Sequence, residues 1–174
     1  MNASERASGE RYSVRRATSG DVNAVGRIWH VGWGDGHIGF VPPELVRYRD
    51  EKQFLTRAQA RVDDMWVAER DCETVGFVVV RGDEVEQMYV DRAARGTGVA
   101  RMLLHKAEAE IRACGHRRAW LAVVAGNERA RRFYSRLGWR ETGPLSYLAE
   151  TEAGPLPVPT LRYEIDLTAP AGTI

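Results

Sequence analysis

A chain of 174 residues is most constrained here by one junction near its middle, "QMYVDRAARGTGVARMLLHKAEAEI", running from Gln87 to Ile111. Its first part reads as a strand and its last part carries apolar residues at helical spacing. Between them sit Gly96 and Gly98, with Arg95 ahead and Thr97 in the middle. A bare turn needs one glycine. Two of them directly before a helix expose the first helical amides, which lack intrahelical acceptors and lie at the positive end of the helix dipole. A phosphate or pyrophosphate suits that end, and Arg95 adds a forked donor. A tight strand–helix junction with no ligand is the other reading the residues allow. The stretch is not a Walker loop, since no Gly-Lys-Ser/Thr follows. It is also a poor dinucleotide fingerprint, since the third glycine is missing and the preceding strand belongs to a meander.

The rest of the chain supports one domain over residues 11–174, preceded by a flexible polar tail at residues 1–10. "RYSVRRAT" from Arg11 fits an opening strand, and Thr18, Ser19 and Asp21 can cap the helix that follows, with Val25, Ile28 and Trp29 on its buried face. "GWGDGHIGFVPP" is expected to break that helix and form a loop, with a second helix from Glu44 to about Ala60. "DMWVAERDCETVGFVVVRGDEVEQMYV" reads as three antiparallel strands. After the helix through Cys114, "RRAWLAVV" suits a buried strand. "NERARRFYSRLG" is a short amphipathic helix stopped by Gly138. Two last strands, Trp139 to Leu148 and Thr160 to Leu167, are joined by a loop containing prolines. With 44% apolar residues and a net charge of +1, the composition is that of an ordinary globular protein. It argues against a nucleic-acid partner, despite the arginines between Arg129 and Arg136. Cys72 and Cys114 lack metal-ligand spacing. No apolar run spans a membrane and the start is no signal peptide, so a cytoplasmic protein is expected, with no membrane partner and no metal.

"RGTGVA" satisfies the Arg/Gln-x-x-Gly-x-Gly/Ala signature of the GCN5-related N-acetyltransferases, the GNAT superfamily. Asn127, Ala130 and Tyr134 in "NERARRFY" reproduce that family's Asn-x-x-Ala-x-x-x-Tyr pattern, and "RLGW" is a familiar ending to that helix. The chain therefore resembles the GNAT family over nearly its whole length. The resemblance implies an α/β (α+β) fold: a mixed, mostly antiparallel, twisted sheet of six to seven strands flanked by about four helices, splayed between strands 4 and 5. It implies acetyl-CoA as co-substrate, an amine as acceptor, direct attack in a ternary complex, and a homodimer as one available state. The pantetheine arm would bond to the backbone of Met88 and Val90, with Tyr89 between them. Amides of Gly96, Thr97, Gly98, Val99, Ala100 and Arg101 would cradle the pyrophosphate, with the Arg95 side chain. Asn127 and Ala130 would border the pantetheine arm, and Arg129, Arg131 or Arg132 would reach the outer phosphates.

The chemistry asks for a group that takes a proton from the incoming ammonium and one that protonates the leaving thiolate. Tyr134 stands where the family often has its acid, and the Val90 N–H could polarise the thioester carbonyl. Glu84 and Glu86 are the candidate bases, and at period 2 they would share a face with Met88 and Val90. The other readings these residues allow are a tyrosine packed on the core and exposed strand carboxylates. For the acceptor, Trp33, Asp35 and His37 in the expected loop, and Tyr147 on the sixth strand, are the candidates. An aromatic with a carboxylate would suit a cationic amine. The alternative function is a non-catalytic acyl-CoA-binding or regulatory domain on the same fold, which would keep the cradle and could lose the acid and base.

Overall fold

The computed structural model describes residues 12–168; the expected tail at residues 1–10 lies outside them. Seven strands form one sheet in the order β1-β2-β3-β4-β5-β7-β6, as follows in chain order. The elements are β1 Tyr12–Arg16, α1 Val22–His37, α2 Pro43–Val46, α3 Glu51–Arg61, β2 Met65–Arg70, β3 Glu73–Arg81, β4 Glu84–Val90, α4 Val99–Ala113, β5 Arg118–Val123, α5 Glu128–Arg136, β6 Arg140–Ala149 and β7 Leu156–Asp166. β1 to β4 form an antiparallel meander, and β4 and β5 run parallel. The GNAT-type arrangement expected from the sequence is present.

β3 lies in the middle of the meander and is buried from Val75 through Val79, as a strand covered on both faces must be. α4 covers one face with Val99, Leu103, Leu104, Ala107 and Ile111, which pack with Val78, Val85, Val90 and Leu121. α1 and α3 cover the other, where Val25, Trp29, Phe54 and Ala58 meet Val67, Phe77 and Val79.

Two sequence expectations about the helices before β2 are corrected. The helix does not break at Gly32 but runs on to His37, so Trp33, Asp35 and His37 sit on a helix rather than in a mobile loop. The glycines serve close approach instead of turning. A Cβ at Gly32 would lie 2.5 Å from the Tyr89 ring, and one at Gly36 would lie 2.7 Å from the Asn127 amide. The expected helix from Glu44 to Ala60 is two helices. Asp50 takes up an extended conformation and accepts from the Gln53 N–H at 2.8 Å, which caps α3 and separates it from α2.

β7 begins four residues earlier than expected and includes Pro157 and Pro159. They face β6 across the ladder, while β5 pairs only with Leu161–Asp166, so no strand on that side needs their missing N–H groups.

Asp21 is 5% exposed and anchors the start of α1. It accepts from Arg15 at 2.9 and 3.0 Å, from the Thr18 N–H at 2.8 Å and from the Thr74 hydroxyl at 2.8 Å. The Arg15 guanidinium, above all, holds its carboxyl well below the usual carboxylate range. Asp21→Ala should therefore cost about 2–4 kcal/mol, since Thr18 and Thr74 lose a buried charged acceptor. A depressed folded pKa stabilises above the unfolded pKa and is lost as pH falls through the folded one. The melting gap between mutant and wild type should thus be full at neutral pH and narrow below about pH 4, which thermal melts across pH would check.

Candidate active site

The register between β3 and β4 slips between Val79 and Val80, leaving Glu86 as an extra residue in β4. A bulge of this kind shifts the alternation of side chains. Val85, and not Glu86, shares the α4 face with Met88 and Val90. The period-2 expectation for the two glutamates is thereby corrected: Glu84 falls on the opposite face, the one covered by α1 and α3.

β4 meets β5 at a single pair, Glu84 with Trp120. The contact is pinned by Asp83, whose carbonyl accepts from the Trp120 N–H at 3.0 Å and whose carboxylate accepts from the indole N–H at 3.1 Å. Beyond this point the strands part, and β5 keeps only β7 as a partner. The gap opens into a cleft of about 280 Å³. Its lining brings Met88, Tyr89, Asn127, Ala130 and Tyr134 together with Glu84, Glu86, Trp33, His37 and Tyr147.

Asn127 caps α5, its side-chain oxygen accepting from the Ala130 N–H at 3.1 Å. Tyr134 packs between Phe133, Trp139 and Tyr163. Its hydroxyl has no hydrogen-bond partner among the described residues, and burial pushes its pKa up, so it is held as the protonated phenol. Burial also raises the Glu84 carboxyl above its ordinary value, against the opposing effect of the Tyr147 hydroxyl, which donates to it at 2.8 Å. Glu86 is held by Arg61 at 2.9 Å and is close to Arg81 at 3.5 Å. The structure thus separates the two carboxylates. Glu84 faces a neutral hydroxyl, whereas Glu86 is committed to an ion pair.

At the other end of β4, Gly96 and Gly98 have φ of +80° and +92°, and a Cβ at either would meet no atom within 4 Å. The two residues lay the backbone open at the start of α4, leaving a cradle that a side chain would fill. The Thr97 hydroxyl donates to the Ala94 carbonyl at 2.6 Å, so Thr97 offers its amide. Val90 and residues 95–101 lie past the cleft walls, at the C-terminal end of β4. Arg95 is tied elsewhere: its Nε donates to the Val90 carbonyl at 3.2 Å and Nη2 pairs with Asp35 at 2.9 Å. Of the arginines expected at the outer phosphates, Arg131 is engaged by Glu141 and Tyr163, and Arg132 by Glu128.

The acceptor candidates divide. Trp33 is 5% exposed and stacks on the half-buried His37 with ring centroids 5.0 Å apart, so the two form one wall of the cleft. His37 makes a 3.1 Å hydrogen bond to the Trp33 carbonyl, and burial pulls its imidazole down to about 4, leaving it neutral at pH 7. Asp35 is not brought to the cleft. Arg92 and Arg95 occupy both its oxygens, and the Arg92 pairing in particular holds it down to about 2. Its place is structural, fastening the end of α1 to the turn before the glycines. Two cleft residues that the sequence reading missed are Arg49 and Arg57. For Arg57 a signal was there: it lies three residues after Phe54, on the helix face that α3 buries.

The sequence profile of the Acetyltransferase (GNAT) family matches residues 28–139. A peptidyl-lysine N-acetyltransferase of Escherichia coli, YjaB, is 30% identical over 133 residues, covering 75% of this chain and 84% of that protein. An uncharacterized N-acetyltransferase of Mycobacterium bovis is 35% identical over 85 residues, but the match spans only 46% of this chain and 54% of that protein, about half of its length. Among solved structures, an N-acetyltransferase from Staphylococcus aureus superposes with a TM-score of 0.68 at 20% identity, covering 91% of this chain and 99% of that one. The Salmonella typhimurium yncA structure, a putative acetyltransferase solved with acetyl-CoA, gives 0.67 at 20% identity, covering 94% and 98%. Those two likenesses concern the fold, which the parted β4 and β5 and the open glycine turn before α4 already mark. With the profile match and the Escherichia coli relative, they establish that this chain belongs to the GNAT acetyltransferase family.

Proposed function

We propose that the chain is an N-acetyltransferase that moves an acetyl group from acetyl-CoA to a primary amine. The observation that carries this is the parting of β4 and β5 after Glu84, which leaves a gap lined by the half-buried Tyr134 phenol and the half-buried Glu84 carboxyl. Met88 and Val90 on one edge, and Asn127 and Ala130 on the other, would hold the pantetheine arm. Amides from Gly96 to Arg101 would hold the pyrophosphate. The bound thioester supplies an activated acyl carbon, on which the C–N bond forms as the C–S bond breaks.

The protein's own part is to place the amine and handle two protons. Glu84 is the base. Its raised pKa brings it closer to the ammonium it must deprotonate, and the Tyr147 hydroxyl fixes its position. Tyr134 is the acid, kept protonated by burial, and donates to the leaving thiolate. Glu86, tied to Arg61, shapes the cleft. The apolar walls formed by Trp33, His37 and Tyr89 limit the entry of water. Retention of an unpartnered phenol beside a strand gap favours the enzyme over a domain that only binds acyl-CoA.

The test is an amine panel followed by free thiol release from acetyl-CoA, with the N-acetyl product identified by mass spectrometry. Glu84→Gln should lower kcat/KM about tenfold at neutral pH and recover as the pH rises, because the amine then sheds its own proton. In the wild type the activity should fall as pH drops through the raised Glu84 pKa. A Glu84→Gln profile that tracks the wild type at every pH would remove Glu84 as base.

A further inference from the structure

The cleft contains two guanidiniums, Arg49 and Arg57, that form no ion pair with a carboxylate among the described residues. Arg49 is 6% exposed. Its two Nη atoms donate to the Tyr48 carbonyl at 3.0 Å and the Glu150 carbonyl at 2.9 Å, and its buried Nε has no partner among the described residues. Arg57 lies over the Trp29 ring at 4.7 Å and over Phe54 at 6.0 Å, with no hydrogen bond or ion pair among the described residues. Both line the cleft alongside Tyr89 and Glu84. Burial pulls the Arg49 guanidinium down to about 10, with the charge of Arg57 adding to the effect, and burial pulls that of Arg57 below its ordinary value.

Nearby carboxylates relieve this only in part: Glu150 acts through space on both guanidiniums and Glu86 on Arg57, but both glutamates are held by Arg61, at 3.0 Å and 2.9 Å, and not by either of these arginines. Glu84 is bonded by Tyr147. Burying one cation without a hydrogen-bonded counter-charge is expensive, and two facing one cleft more so, unless a ligand anion completes them. Guanidinium is the group suited to a carboxylate, through paired N–H donors.

We propose that Arg49 and Arg57 bind the carboxylate of the acceptor, making the acceptor a small amino acid whose amine points to Glu84. This rests on the acetyltransferase reading above and replaces the cationic acceptor expected from Asp35. The cleft's size agrees: about 280 Å³ must also admit the pantetheine arm, which leaves room for a small molecule. Trp33 and Tyr89 would flank its carbon stem.

The experiment uses the full chain and the proteinogenic L-amino acids, each beside its methyl ester, which keeps the amine and removes the negative charge. Binding is read by saturation-transfer NMR with and without coenzyme A, and turnover by thiol release. At least one amino acid should bind and show kcat/KM about ten- to a hundred-fold above its ester, the scale of one charge-assisted hydrogen bond. Arg57→Gln should raise that amino acid's KM by a similar factor, leave kcat nearly unchanged and equalise acid and ester. Arg57→Lys, which keeps a cation and a stem over Trp29, should restore part of the preference. Arg57 is the site of choice because Arg49 also braces two carbonyls, and a thermal melt confirms the fold of each variant. Esters matching their acids, or no amino acid binding to protein that does bind coenzyme A, overturns the proposal. A better substrate among lysine-containing peptides, with no effect of Arg57→Gln, overturns it as well. Absence of coenzyme A binding by calorimetry would instead overturn the acetyltransferase reading, while the NMR arm without coenzyme A still decides whether the arginines hold an amino acid.

Discussion

Gly98→Glu should reduce coenzyme A affinity by at least about a hundred-fold, which is about 2.7 kcal/mol and the upper range for a lost charged hydrogen bond. Three effects add in the same direction. Gly98 has φ +92°, so any side chain strains the backbone by about 1–2 kcal/mol. The new carboxylate would stand at the positive end of α4 and repel a pyrophosphate there. Its bulk would also occupy the space that the open turn leaves. Gly98→Ala separates these effects. Its Cβ would meet no protein atom within 4 Å, so it carries the backbone strain without the charge. It should melt only slightly lower than wild type and still bind more weakly if a ligand enters that space. Calorimetry on both variants checks the pair. Unchanged affinity in folded Gly98→Glu would dismiss the glycine turn as the pyrophosphate site.

Tyr134→Phe should lower kcat on the order of 10²-fold, with coenzyme A affinity nearly unchanged. The phenol has no hydrogen-bond partner among the described residues, and its ring is fixed by Phe133, Trp139 and Tyr163. Phenylalanine keeps those contacts, so little stability should be lost and the rate change reports on the hydroxyl. Single-turnover measurement at saturating amine separates the chemical step from product release. Full turnover by the mutant would make Tyr134 a packing residue and leave the thiolate to water.

These two residues were legible in the sequence because their signals are local. A helix start that requires positive φ shows itself as glycine, and the Asn-x-x-Ala-x-x-x-Tyr spacing lies on one short helix. The meander was legible for the same reason, since its strands are close in sequence and divided by turn residues. What was missed depends on contacts between distant segments. Gly32 and Gly36 look like breakers until Tyr89 and Asn127 are seen pressing on them. Pro157 and Pro159 look like a loop until β5 is found to stop short of them. The bulge at Glu86 cannot be read from β4 at all, because the slip is defined only against β3. Asp35 looked free for a ligand, and two arginines far from it in sequence claim it. Arg49 and Arg57 were passed over among many arginines, because only burial without a counter-charge sets them apart.

Acetyl-CoA is proposed to bind in the gap between β4 and β5, with the glycine turn at its end. Hydrogen–deuterium exchange with and without saturating acetyl-CoA tests this most directly. Slowed exchange is expected at the amides of Met88 to Val90 and of Gly96 to Arg101, with less change in β1 and β2. Unaltered exchange in both of those segments, in protein shown by calorimetry to be saturated, would contradict it.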